Sequence, residues 1–115
     1  MKTLVLATAL ISATLISGCT TSKTDFQNGQ VALSGSPALK RQAIQRCMTK
    51  FKMRFGKVER ANLAALMNVQ DAGLEHTFCT RLMNGFANGR INYSDYLAAL
   101  SHGDMSNAIK VLQGR

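Results

Sequence analysis

From Ser36 onward, apolar residues recur every three or four positions, and Gly, Asn and Asp interrupt the pattern at intervals. Ser36-Pro37 has the form of a helix start, with Ser as N-cap and Pro in the first turn. Ile44, Cys47, Met48, Phe51 and Phe55 then fall on one side at helical spacing, and Gly56 breaks the run. Val58 to Val69 predicts a second helix with Ala61, Ala65, Leu66 and Val69 inward. Asp71 is placed to cap a third, whose stripe is Leu74, Phe78, Leu82 and Phe86, with Cys79 and Met83 alongside and Gly89 as the stop. The fourth start is the best specified. Asn92 is the N-cap, Asp95 stands at N3 near the positive helix end, and Ile91 reaches Tyr96 as a hydrophobic staple. Tyr93, Tyr96, Leu97 and Leu100 form its expected buried face. Gly103 ends that helix, and Asp104 caps a last short one docked by Met105, Ala108, Ile109 and Leu112. No stretch alternates with period two long enough for a strand. The pattern predicts an all-α domain over residues 37–115, a small bundle of four to five short helices.

The chain before Ser36 has a different character. Lys2 precedes an apolar run from Leu4 to Ile16, too short to cross a bilayer, and small residues then stand before a cysteine. That is the layout of an export signal. Ile16-Ser17-Gly18-Cys19 resembles the lipobox of bacterial lipoproteins. The resemblance implies that residues 1–18 are removed, that Cys19 carries a diacylglyceryl thioether, and that its new amine is acylated. Thr20 follows the cysteine where an Asp would mark retention in the enterobacterial sorting pattern. The resemblance therefore implies a lipid anchor in the outer membrane, facing the periplasm. Thr20 to Ser36 is rich in Ser, Thr, Gly, Asn and Gln and has no helical period. Residues 19–36 read as a lipidated N-terminus and flexible tether, with a typical end-to-end distance of roughly 20–25 Å.

Compartment changes how the remaining cysteines read. A domain this small gains from a covalent staple. Cys47 and Cys79, each on a predicted apolar face, argue for one disulfide in an oxidising periplasm; the alternative is two buried thiols acting as small hydrophobes. Closing that loop would contribute roughly 3 kcal/mol.

Charge is concentrated. The precursor carries +8, and loss of Lys2 leaves +7. Between Lys40 and Arg60 eight basic residues face one acid, Glu59, so that window alone carries +7. Arg46, Lys50 and Lys57 are placed opposite the Ile44–Phe51 stripe. They are candidates for contact with an anionic partner: lipid phosphate, an acidic envelope polymer or an acidic protein. The alternative is a solvated helix face. Nucleic acid fits the charge but not the compartment, and no aromatic platform for stacking bases is interleaved.

Other chemistry is sparse. Asn84 to Asp95 resembles an EF-hand loop in its Asn, Gly, Ile and Asp positions, but Phe86 stands where a carboxylate belongs, and Asp95 is its one acid. Calcium needs six to eight oxygens, so an EF-hand-like shape without calcium is expected. A parallel between Cys47…Gly56-Lys57-Val58…Leu63-Ala64-Ala65-Leu66 and Cys79…Gly89-Arg90-Ile91…Leu97-Ala98-Ala99-Leu100 hints at duplicated hairpins. His76, Cys79, Cys47 and His102 lack zinc-ligand spacing, and no catalytic motif is present. Asp71, Glu75, Asp95 and Asp104 read as caps and first-turn charges. The expectation is a protein without enzymatic activity, metal or cofactor, working as a binding or adaptor module for an envelope protein. Secretion pilotins resemble it in layout alone: lipobox, polar segment, small helical domain. The alternative is a structural lipoprotein whose basic helix binds peptidoglycan, lipopolysaccharide or phospholipid. A groove between helices would favour the first; salt-sensitive binding without a protein partner would favour the second.

Overall fold

The computed structural model describes residues 20–115, and the signal run and Cys19 lie outside them. The described residues form six helices: α1 (Lys23–Gly35), α2 (Pro37–Arg54), α3 (Lys57–Met67), α4 (Leu74–Ala87), α5 (Tyr93–His102) and α6 (Ser106–Leu112). The fold is all-α, with no strand among the described residues. None of these helices is long and apolar enough to cross a membrane.

α4 is the central helix, packed against α2, α1 and α6. On one side Phe51, Ala64, Met67, Leu74, Cys79 and Leu112 make a closed core. The Cys47–Cys79 disulfide crosses it, with Cα atoms 5.7 Å apart, and pins α2 to α4. Phe51, Phe55 and Phe78 pack ring against ring beside it.

The expected tether is a correction. Residues 23–35 are a helix that belongs to the domain. Ser22 caps it by accepting from the Asp25 amide, and Phe26 and Leu33, two turns apart on one face, are buried. Between them Gln30 donates to the carbonyls of Phe86 (3.0 Å) and Ile91 (2.9 Å), which lie past the last intrahelical acceptors of α4 or beyond its end. Gly29 faces the Phe86 ring, with room for a Cβ at ordinary contact distance (3.4 Å). Two apolar anchors and one amide are too few to produce a visible stripe, so composition alone reads as linker.

Several faces also differ from the pattern. In α3 the inward residues are Ala64 and Met67, while Ala61 and Ala65 are exposed and Leu66 is 42% exposed. Leu63 and Val69 pack beside this pair, and Arg60, one turn before Ala64, meets Glu75 of α4. Asn68 in the left-handed region (φ 57) ends α3, with the Asn68 and Val69 amides returning to Ala65 and Ala64. Asp71 does not cap α4; Gly73, at φ 78, stands at that N-cap without a side-chain bond. The fourth predicted start is observed as a capping box: Asn92 Oδ1 accepts from the Asp95 amide, and Asp95 Oδ2 from the Asn92 amide, both at 2.9 Å. Leu97, Leu100 and Met105 are exposed rather than buried, and Val111 joins Leu112 as the anchor of α6.

Candidate binding groove and basic face

Toward the C-terminal end of α4, sharing Leu82 with the closed core, lies a second apolar assembly that does not close. Phe26 of α1 meets Phe86 edge to face at 4.9 Å between centroids. Tyr93 and Tyr96 each lie 5.4 Å from Phe26. α5 and α6 run past this cluster and leave a groove of about 430 Å³, within the size range of small-ligand sites. Its walls are Leu82, Met83 and Phe86 from α4, Ala98 and Ala99 from α5, and Met105 and Ala108 at α6. The alanines keep the groove open; larger side chains at those positions would fill it. Two methionines give it walls that can repack.

The polar rim is already engaged. Asp95 holds the Asn92 amide and, at 2.8 Å, the Asn107 side chain, which also donates to the Arg90 carbonyl. Asp104 accepts from the Ser106 hydroxyl and amide, and these bonds hold its carboxyl below the usual carboxylate range. Such a site can hold hydrocarbon.

The predicted site residues divide between two helices. α2 carries Lys40, Arg41, Arg46, Lys50, Lys52 and Arg54 and no acid. Arg46 and Lys50 are exposed on it. Lys57 is exposed too, but it opens α3 after the break at Phe55-Gly56 and is not part of the same helix face. Arg60 leaves the basic group altogether. Its guanidinium meets Glu75 at 2.5 Å and Asp71 at 3.2 Å, and lies 5.6 Å from the centre of the Phe51 ring. The bond from Arg60, then the nearby backbone, holds the Glu75 carboxyl below its ordinary value. Lys50 and Arg54 flank a shallower cleft of about 390 Å³ over Phe51, Phe55 and Phe78.

Cys47 and Cys79 are bonded to each other, so neither offers a thiolate to a metal. Among the described residues no group of three or more His, Cys, Asp or Glu side chains is clustered for a metal ion. The EF-hand-like window is not a loop over its first third, because α4 continues through Asn84 to Ala87. The turn proper is Asn88–Asn92, with Gly89 at φ 80.

Sequence reasoning missed the groove because Phe26 sat in the presumed tether and Ala98, Ala99 and Ala108 have no distinctive signature. No family model, no curated protein and no solved structure matches this chain.

Proposed function

We propose that this chain is a bacterial envelope lipoprotein, anchored through Cys19 in the outer membrane and facing the periplasm. In this reading it works without catalysis, as a binding module whose receptor is the groove between α4, α5 and α6. The observation that carries the reading is an open apolar groove of about 430 Å³ beside a core that is closed and crossed by a disulfide. A rigid scaffold holding an unfilled apolar site is the arrangement expected of a binding protein. The test uses residues 20–115, which contain the whole described fold, and the neutral dye N-phenyl-1-naphthylamine. Saturable fluorescence gain is expected, and Ala99→Trp should abolish it while helicity stays unchanged. Undiminished dye binding by a folded Ala99→Trp protein would remove the groove from consideration.

A second reading is favoured by the six bases and no acids of α2. There the helix lies against an anionic envelope surface. Vesicles containing phosphatidylglycerol should retain the domain better than phosphatidylcholine vesicles, and 1 M salt, where screening acts within about 3 Å, should release it. Replacing Arg46, Lys50 and Lys57 with Gln should reproduce the salt effect and move stability by less than about 0.5 kcal/mol per site. Equal retention by both vesicle types would leave α2 as a solvated face.

A further inference from the structure

The start of the described chain is not loose. The Thr21 amide donates to the Tyr96 hydroxyl at 2.9 Å, and the Tyr93 hydroxyl donates to the Thr21 carbonyl at 3.0 Å. These two tyrosines pack against Phe26, Tyr93 edge-on and Tyr96 tilted, and Phe26 and Tyr96 both line the groove. Cys19 is two residues before Thr21, and two residues span at most about 7 Å. Whatever Cys19 carries therefore starts within a short reach of the groove.

We propose that the groove between α4, α5 and α6 holds one acyl chain of the lipid on Cys19, so that the protein shields that part of its anchor from water when it is off the membrane. The proposal rests on the reading of Cys19 as lipidated. An acyl chain matches the site chemically, because the walls are hydrocarbon, thioether and aromatic ring and the carboxylates at the rim already hold partners. Each methylene moved from water into such surroundings favours the docked state about fourfold. The tether is short, so the chain docks as an intramolecular ligand at high effective concentration. Membrane insertion offers the same hydrocarbon contact, so docking and anchoring are alternatives of comparable chemistry, and contact with a bilayer releases the chain.

The test compares the lipidated protein, purified from the membranes of cells that cannot acylate the Cys19 amine and labelled with methyl-13C methionine, with the same protein after lipase removal of its two ester-linked chains, which leaves no acyl chain on Cys19. Mass spectrometry of the Cys19 peptide comes first, and an unmodified Cys19 would overturn both the anchor and the proposal. In detergent-free buffer lipase treatment should shift the methyl signals of Met83 and Met105 in the groove. Met53, 83% exposed on α2, and Met67, 1% exposed in the closed core, should not move. Ala99→Trp should abolish the lipase-dependent shifts of Met83 and Met105, with an unchanged Met67 signal reporting an intact core. Tyr93→Phe with Tyr96→Phe keeps both rings and removes the clamp; it should weaken docking without blocking uptake of free dodecanoate by the lipase-treated protein. Coincident spectra before and after lipase, with lipid proven on Cys19, would overturn the proposal and leave the anchor standing. If only free dodecanoate moves Met83 and Met105, the groove serves acyl chains from another molecule, and the proposal is wrong.

Discussion

Replacing Phe26 with alanine should undock α1 while leaving the disulfide core folded. Phe26 is 7% exposed and contacts Phe86, Tyr93 and Tyr96. Truncating a buried Phe to Ala typically costs about 3–5 kcal/mol, including edge contacts of about 0.5–1.5 kcal/mol each. What else holds α1 is Leu33, about 1.5–3 kcal/mol if fully buried, the two Gln30 bonds, about 1 kcal/mol each, and the Thr21 bonds to Tyr93 and Tyr96 just before it. A helix of 13 residues is near the length at which isolated helices are marginal in water. Losing the largest anchor should therefore weaken α1 docking by about 3–5 kcal/mol and let α1 open far more often than the core. Hydrogen exchange resolved by residue is the assay. Amides of Phe26–Gly35 should lose protection in Phe26→Ala, while those around Cys79 keep theirs, and circular dichroism should fall by the helical signal of roughly one short helix. Val31→Ala, at a position 72% exposed, is the control and should change stability by less than about 0.5 kcal/mol. If α1 amides exchange freely in the parent, residues 23–35 are the tether that composition suggests. If they stay protected in Phe26→Ala, the aromatic cluster is not the anchor.

Reducing the Cys47–Cys79 bond, which spans 32 positions, should lower stability by about 3–4 kcal/mol from loop entropy; an unchanged urea midpoint with and without reductant would contradict the pairing. Glu75 is held below its ordinary value of 4.5 by Arg60, so its contribution is present at neutral pH and is lost as pH falls below about 4.5 through the depressed folded value. Glu75→Gln should therefore flatten the acid limb of the stability profile, and an equally steep limb would show that the ion pair contributes nothing. Gly85→Ala should cost about 1–3 kcal/mol by overpacking, because its Cβ would stand 2.5 Å from Val111 Cγ1; Val111→Ala in the same chain should recover part of the loss in a thermal melt.

The fold class was legible because helix signals are local. The Ser36-Pro37 start, the Asn92–Asp95 capping box and the stops at Gly89 and Gly103 each depend on residues a few positions apart. The cysteine pairing was legible for a related reason: both lie on apolar stripes that a two-helix contact brings together. The α3 face differed because Met67, with Leu63 and Val69 beside it, offers the core more apolar surface than Ala61 and Ala65, so Met67 and Ala64 are buried in their place, and Arg60 on that side meets Glu75.

By itself, then, the sequence determined that residues 37–115 form short amphipathic helices, that α2 is basic, and that Cys47 and Cys79 sit on core faces. Only the tertiary structure decided that the segment before Ser36 is a docked helix, that Arg60 is neutralised, and that α4, α5 and α6 leave an apolar groove beside the chain start. The reason is physical. Caps and periodicity arise from bonds within a turn or two, whereas Phe26 finds Phe86 across 60 positions of chain, and its burial is the work of the assembled core rather than of its neighbours in sequence.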